Sequence, residues 1–463
     1  MARKYPPGPT NFNAGFGLTW RHAWLQCADP LGFSTRLARK YGDIVFYRLF
    51  IHEAFQINHP DLIREVLVTK AASFQKQARQ RELIRRTTGD GILTTDGPAW
   101  VRQRRMMLPA FNAGSGQRLA QIGVEEAQRT VAGWHSGREF ALYREMTSLM
   151  VRAVGRAFFG IDDAGESLQI ADALQTLADA YLDLDYFLVR LPAWIPTARQ
   201  RRIRAAEQFL DQYFDRAIRD RAERAHGQRD LLALLLDAVD ETGDGQRMSP
   251  AQLRGEARTM FFAGYHTAAA NLTWTLYLLA THAEIRRRVA EEIDAVLGSR
   301  TPTMPDLPRL GYIEQVIKES MRLYPPAWVL FAREAIEDVE VGGYLLPRGA
   351  WVFIYPWVMH RDERFFPDPL KFDPDRFLPD REAKLPTGAY IPLGLGAHNC
   401  IGGRIAMLAL QLVLPTLLQR HELSLAPGQS PPQPKTSISL RPKIDLQMIP
   451  RELAPSSATE HRS

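Results

Sequence analysis

Pro392-Leu-Gly-Leu-Gly-Ala-His-Asn-Cys400-Ile-Gly-Gly-Arg404 is the stretch whose residues decide how this chain is read. Gly394 and Gly396 permit a tight bend, and Gly402 and Gly403 let a large group approach the backbone. Cys400 stands where an apolar helix begins at Ile405-Ala-Met-Leu408. The N–H groups at a helix start favour a thiolate, the form of cysteine that ligates metals or attacks electrophiles. A lone cysteine at a helix start is more often buried and inert. Here the four surrounding glycines shift the balance toward a ligand.

Two further stretches lie N-terminal to it. In Glu319-Ser-Met-Arg322 the acid and the base are three residues apart on one helix face and can pair, and Pro325-Pro326 ends that helix. An isolated pair of this kind is usually surface decoration. Ala263-Gly-Tyr-His-Thr267 lies midway along a segment, Thr259 to Ala283, that contains no Asp, Glu, Lys or Arg. That segment is long enough to span a bilayer. Its Gly264, His266, Asn271 and five Thr, with no second span, favour a buried central helix of a water-soluble protein. Ser249-Pro-Ala-Gln252 supplies its capping box.

In this order and spacing the three stretches resemble the cytochrome P450 family of haem-thiolate monooxygenases. The family's haem loop runs Phe, Gly, any, Gly, any, Arg, any, Cys, any, Gly. Gly394, Gly396, Cys400 and Gly402 match it, with Leu393 for the Phe and His398 for the Arg. The family's glutamate–arginine pair matches Glu319 and Arg322, and Arg376 in Pro374-Asp-Arg-Phe377 matches its third member. Trp100 and Arg104 match the Trp-x-x-x-Arg haem contact, and Arg333 a further propionate-binding position. The resemblance covers nearly the whole chain, from Tyr5-Pro-Pro-Gly-Pro9 onward.

The resemblance implies a single mainly α domain over residues 1–463 with small β-sheets. Haem b would be held between a central distal helix and the proximal Cys-bearing helix, with Cys400 as iron ligand. It implies insertion of one oxygen atom from dioxygen into a hydrophobic substrate such as a fatty acid, terpene or steroid. Ala263 and Gly264 would line the distal face, and Thr267 would help deliver protons. The family usually carries an acid just before that threonine, whereas this chain carries His266. His266 either relays protons in its place or is structural. Phe262, Trp328, Val329 and Leu330 are expected to line the substrate pocket, and Leu184-Asp-Tyr-Phe-Leu-Val-Arg-Leu-Pro-Ala-Trp194 to form its roof. The parts resembling bacterial fatty-acid hydroxylases tilt the expectation toward long-chain lipids. Electrons would come from NAD(P)H through a separate ferredoxin or flavodoxin and its reductase, with Arg102 and Arg105 as docking charges or as ordinary exposed arginines. Direct use of peroxide is an alternative that Thr267 argues against. A haem-based sensor is a more distant one, lacking a signalling domain.

Composition agrees. The chain has 463 residues, 45% hydrophobic and 24% charged, with a net charge of +6 and two cysteines, Cys27 and Cys400. Disorder, a disulfide framework and a multi-cysteine zinc site are excluded. No Lys/Arg run is interleaved with aromatics, so nucleic acid is not an expected partner. The N-terminus has no continuous apolar run, so neither signal peptide nor membrane anchor is expected; a cytoplasmic location and a monomer are the expectations. Helical spacing is expected over most of the chain, including Trp100–Pro109, Arg118–Trp134, Arg144–Gly160, Ser249–Ala283, Tyr312–Tyr324 and Gly403–His421. Short strands are expected at Ile44–Leu49, Ala54–Ile57, Val339–Val341, Trp351–Ile354, Leu423–Leu425 and Lys443–Met448, with residues Arg451–Ser463 a frayed polar tail.

Overall fold

A computed structural model describes residues 5–9, 22, 24–49, 51–181, 197–223, 230–240, 243 and 245–453. In chain order the principal elements are α1 (Pro30–Tyr41), β1 (Ile44–Leu49), β2 (His52–Ile57), β3 (Phe74–Lys76), α2 (Ala78–Thr88), α3 (Gly97–Met107), α4 (Ala113–Ala132) and β4 (Phe140–Ala141). They continue with α5 (Leu142–Phe159), α6 (Ala164–Tyr181), α7 (Ala198–Glu223), α8 (Leu231–Asp237), α9 (Pro250–Thr281), α10 (Ala283–Val296) and α11 (Gly311–Leu323). The last third holds β5 (Arg333–Ala335), β6 (Val339–Val341), β7 (Tyr344–Leu346), β8 (Trp351–Ile354), α12 (Gly403–Leu418), β9 (His421–Leu425), β10 (Pro434–Thr436), β11 (Leu440–Pro442) and β12 (Gln447–Glu452). The architecture is mainly α with small sheets, as the motifs imply.

Helix α9 organises the rest. Its first turn is fixed by the capping box: Gln252 N donates to Ser249 Oγ at 3.2 Å, and Ser249 N to Gln252 Oε1 at 3.0 Å. Its side chains are buried all round, so it is a core helix rather than a surface one. It packs against α5, α7, α11 and α12. No helix among the described residues is long and apolar enough to cross a membrane.

Helix α12, which follows the cysteine loop, lies closest to α4. Two glycines make that approach possible. A Cβ on Gly116 would stand 3.0 Å from Ile405, and one on Gly123 2.9 Å from Val413. The five-stranded sheet has the order β1-β2-β8-β5-β3, with β2 and β8 parallel, and β5 antiparallel to both β8 and β3. This brings Lys76 opposite Arg333.

Several boundaries differ from the sequence expectation. The last strand runs Gln447–Glu452, not Lys443–Met448, and pairs Arg451 with Glu422 and Glu452 with His421. Arg451 and Glu452 are therefore ordered by sheet hydrogen bonds, not part of a tail. Helix α1 escaped the apolar count because Gly32, Ser34 and Thr35 dilute it. Asp29 starts it by accepting from Gly32 N at 2.9 Å.

Candidate functional site

The cysteine loop is held in a form that few residues could adopt. Gly394 has φ +78° and Gly396 φ +73°. A Cβ on Gly396 would stand 2.3 Å from Leu67 O. Cys400 N donates to Leu393 O at 2.8 Å and closes the loop. Leu393 lies beside the cysteine, its Cδ1 3.0 Å from where a Gly403 Cβ would be.

Cys400 is exposed, yet protein encloses it enough that desolvation is the largest influence on its thiol and raises it. Its accessible surface therefore belongs to an inner recess. The N–H groups of Gly402 and Gly403 and the Arg104 guanidinium pull the other way, toward thiolate. Gly402 caps α12 at its N-terminus. A Cβ there would meet nothing nearer than Phe111 at 3.7 Å, so no protein neighbour requires a glycine at this position.

Four basic side chains gather beside this loop. His398 stacks on Trp100 with ring centroids 3.8 Å apart, and its Nδ1 is buried without a partner among the described residues. Arg104 donates to Asn399 O at 3.0 Å and also to Asn399 Oδ1. Arg333 is buried, donates to Phe331 O at 2.9 Å, and is brought down to about 10 by desolvation. Lys76 is buried and donates to Ile92 O at 2.6 Å and Thr95 O at 2.8 Å. Desolvation holds it down to about 7, and His398 is brought to about 4 by desolvation and then by Arg333 and Lys76. Asp96 is the carboxylate felt by Lys76, Arg333 and His398 alike. Buried bases in excess over acid are costly unless an anion joins them. The two propionates of haem have the charge and the reach for that role. No feature of the sequence singled out Lys76. The β3–β5 pairing is what places it against Arg333.

Helix α9 carries the residues that the resemblance implies for the distal side. Between Gly255 and Leu276 every residue is buried except Ala263, Gly264 and Thr267. At 100° per residue these three fall on one side of the helix, so α9 opens onto a recess along one short stripe. Thr267 Oγ1 donates to Ala263 O at 3.0 Å, which leaves its lone pairs free to accept from that recess. Gly264 has a second role. A Cβ on it would stand 3.2 Å from Val154 and 3.3 Å from Phe158 of α5, so its lack of a side chain serves helix packing.

His266 points elsewhere. It is buried at 1% exposure, with Nδ1 2.7 Å from Ser439 Oγ and Nε2 unpartnered among the described residues. Desolvation, then Arg441, brings it down to about 4, so it is neutral near pH 7. The ring at the usual acid position is therefore uncharged and held by Ser439.

The residues expected to line the pocket differ in their burial. Phe262 is fully buried and packs on Tyr265 and His266, with centroids 5.9 and 5.1 Å away. Trp328 is buried in a small core with Tyr355, its Nε1 donating to Ser437 O at 2.8 Å. Neither presents an open face, whereas Val329 and Leu330 are half-buried. The expected roof, Leu184 to Trp194, lies outside the described residues. Arg102 and Arg105 both pair with buried Asp240, Arg102 Nε at 3.3 Å and Arg105 Nε at 2.8 Å. They tie α3 to the segment before α9.

Behind the cysteine loop lies a buried ion network. Glu319 and Arg322 have 0% side-chain exposure and meet through two bonds of 2.7 and 2.8 Å. Arg322 also donates to His360 O and Pro369 O, both at 2.7 Å, and to Lys371 O at 3.1 Å. Arg376 Nε stands 3.5 Å from Glu319 Oε1. His360 Nε2 accepts from Ile391 N at 2.9 Å, which carries the network to the start of the cysteine loop. The pair is therefore a structural anchor, not surface decoration.

Comparison with known proteins agrees with this geometry. Residues 6–448 match the sequence profile of the family described as Cytochrome P450. Cyclooctatin synthase of Streptomyces melanosporofaciens is 34% identical, over 93% of each chain. Pentalenene oxygenase of Streptomyces avermitilis is 33% identical, over 88% of this chain and 89% of its own. Among solved structures, the cytochrome P450DA heme domain superposes with a TM-score of 0.87 at 26% identity, covering 98% of this chain and 99% of that one. A retinoic acid-bound cyanobacterial CYP120A1 gives 0.85 at 26% identity, covering 98% and 100%. The chain belongs to the cytochrome P450 family of monooxygenases.

Proposed function

We propose that the protein is a haem-thiolate monooxygenase that inserts one oxygen atom from dioxygen into a cyclic, terpene-like hydrophobic substrate. The observation that carries this reading is Cys400, held in the glycine loop in an inner recess, where desolvation raises its thiol and the Gly402 and Gly403 N–H groups and Arg104 counter that toward thiolate. Haem b bound there would supply the activation of dioxygen, with electrons reaching it from NAD(P)H through a separate ferredoxin or flavodoxin and its reductase.

The chain's own residues have separable tasks. Cys400 provides the thiolate, and Leu393 shields it on one side. Lys76, Arg104 and Arg333 neutralise the propionates, His398 helps to orient them through its ring N–H, and Trp100 backs the His398 ring. Gly394 and Gly396 set the loop, and Gly402 leaves room above it. On the distal side Ala263 presents only a methyl group to the recess, and Thr267 accepts or passes a proton at Oγ1. Val329 and Leu330 supply apolar contact. A terpene-like substrate is favoured over a long-chain lipid because the two Streptomyces relatives are named for cyclooctatin and pentalenene.

A panel of cyclic terpenes and fatty acids, scored by the haem spin-state shift, tests the substrate class. Terpenes are expected to give the larger shifts, and shifts with fatty acids alone would contradict it. Use of peroxide in place of dioxygen is the second reading, favoured by the neutral, sealed His266 at the usual acid position. Substrate-dependent dioxygen consumption with NAD(P)H and a ferredoxin system separates the two.

A further inference from the structure

Helix α9 contains one acid in its 32 residues, Glu256. It lies seven residues before Ala263 and eleven before Thr267. At 100° per residue those offsets place it within about 20° of both, on the side that opens onto the recess. Its side chain is completely buried. Oε2 accepts from Ile92 N at 3.0 Å, whereas Oε1 has no partner among the described residues. Thr259, one turn closer to the open stripe, is equally buried, and its Oγ1 is likewise unpartnered.

These atoms converge on the Gly89–Ile92 turn. A Cβ on Gly91 would stand 2.5 Å from Thr259 Oγ1 and 3.1 Å from Glu256 Oε2. On the outer side of the turn Asp90 is exposed. The Glu256 carboxyl group and the Thr259 hydroxyl thus lie behind the same thin turn, and each carries a buried oxygen without a partner among the described residues, the setting in which ordered water bridges polar groups.

We propose that Glu256 and Thr259 anchor a buried water chain leading along α9 toward the Ala263–Thr267 stripe, and that Glu256 supplies through it a proton to the Thr267 hydroxyl. The inference rests on the haem-thiolate reading above. Along the chain each oxygen gives up one proton as it takes another. Glu256 loses the proton of its carboxyl group, becomes a carboxylate and regains a proton from bulk water across the Gly89–Ile92 turn. No electron moves and no bond to carbon breaks. Burial supports this assignment by pushing the carboxyl up to about 8, so that it holds a proton at neutral pH, with Lys76 as the facing charge that moderates the shift.

The test uses Glu256→Gln in the haem-loaded enzyme. Glutamine keeps an oxygen for Ile92 N but has no carboxyl proton to give. Difference infrared spectroscopy is expected to show a deuterium-sensitive carboxylic-acid band in the wild type at neutral pH that the variant lacks. Product formed per NAD(P)H consumed should fall on the order of tenfold or more with peroxide released instead, within the range positioned proton donors contribute. Thr259→Val should impair coupling in the same direction without removing the band, and gives an independent test if Glu256→Gln fails to fold. The proposal is overturned if Glu256→Gln couples as the wild type does, or if no carboxylic-acid band is lost. Failure of the haem-thiolate reading would show separately, as absence of the thiolate-type spectrum with carbon monoxide in the wild type.

Discussion

The two walls of the site are built by opposite means. The proximal wall is an irregular loop whose shape depends on positive-φ glycines, and from Leu393 to Gly402 none of its residues is fully buried. A buried ion network stands behind it and reaches its start through His360 and Ile391. The distal wall is an uninterrupted helix in which, between Gly255 and Leu276, three small or hydroxylated residues break an otherwise sealed surface. One wall is specified by backbone conformation and fixed charge, the other by which helix face the neighbouring helices leave uncovered. A substitution on the proximal side should therefore damage folding and ligand placement together. One on the distal side should leave the fold standing and change proton traffic or specificity.

The largest expected effect tests the proximal half of that contrast. Arg322→Ala leaves Glu319 buried at 0% exposure without its two bonds. Breaking such a pair costs about 3–5 kcal/mol, so little folded, haem-loaded protein should be recovered. Normal yield and melting temperature would show that the loop does not depend on the network.

Gly396→Ala comes next. The new Cβ meets Leu67 O at 2.3 Å, and φ +73° adds a conformational penalty of about 1–2 kcal/mol. Thermal melting should drop, and the thiolate-type spectrum should weaken with it. A fall in stability with an unaltered spectrum would separate loop shape from ligand placement.

On the distal side, His266 offers a pH test. Its folded value, about 4, lies below the ordinary 6.5. As pH falls from 6.5 toward 4, the unfolded chain takes up a proton that the folded protein refuses, so stability is lost across that window. His360 and His398 act in the same direction. In His266→Gln the loss should be shallower by about 1.4 kcal/mol per pH unit, the slope contributed by one proton. Identical acid limbs would mean that His266 is not sealed as the Ser439 contact indicates.

Ser439→Ala is the mildest. Removing the partner of a buried ring nitrogen costs about 1–3 kcal/mol. The thiolate spectrum should be unchanged, and its loss would erase the contrast between the walls.

The same contrast explains what the sequence disclosed. The loop glycines, Cys400 and the Glu319–Arg322 spacing are local requirements, so they can be read from residues close together in the chain. The depth of the Glu319–Arg322 pair cannot, because it arises from segments around His360, Pro369 and Asp373 folding over α11. Likewise Ala263 and Thr267 are visible as a motif, but nothing local shows that Phe262 and His266 turn into the core. Lys76 and Glu256 escaped notice because their significance depends on strand pairing and on a turn 164 residues away. Glu256 did carry one signal, as the lone acid in a long apolar helix.

The most direct measurement is the absorption spectrum of the reduced protein with carbon monoxide, recorded for the wild type and Cys400→Ser. A thiolate-type Soret band in the wild type that is absent in Cys400→Ser is the predicted result, with Cys27→Ser unchanged from wild type. A wild type lacking that band, or a Cys400→Ser protein retaining it, would contradict the assignment of Cys400 as the ligand around which both walls are built.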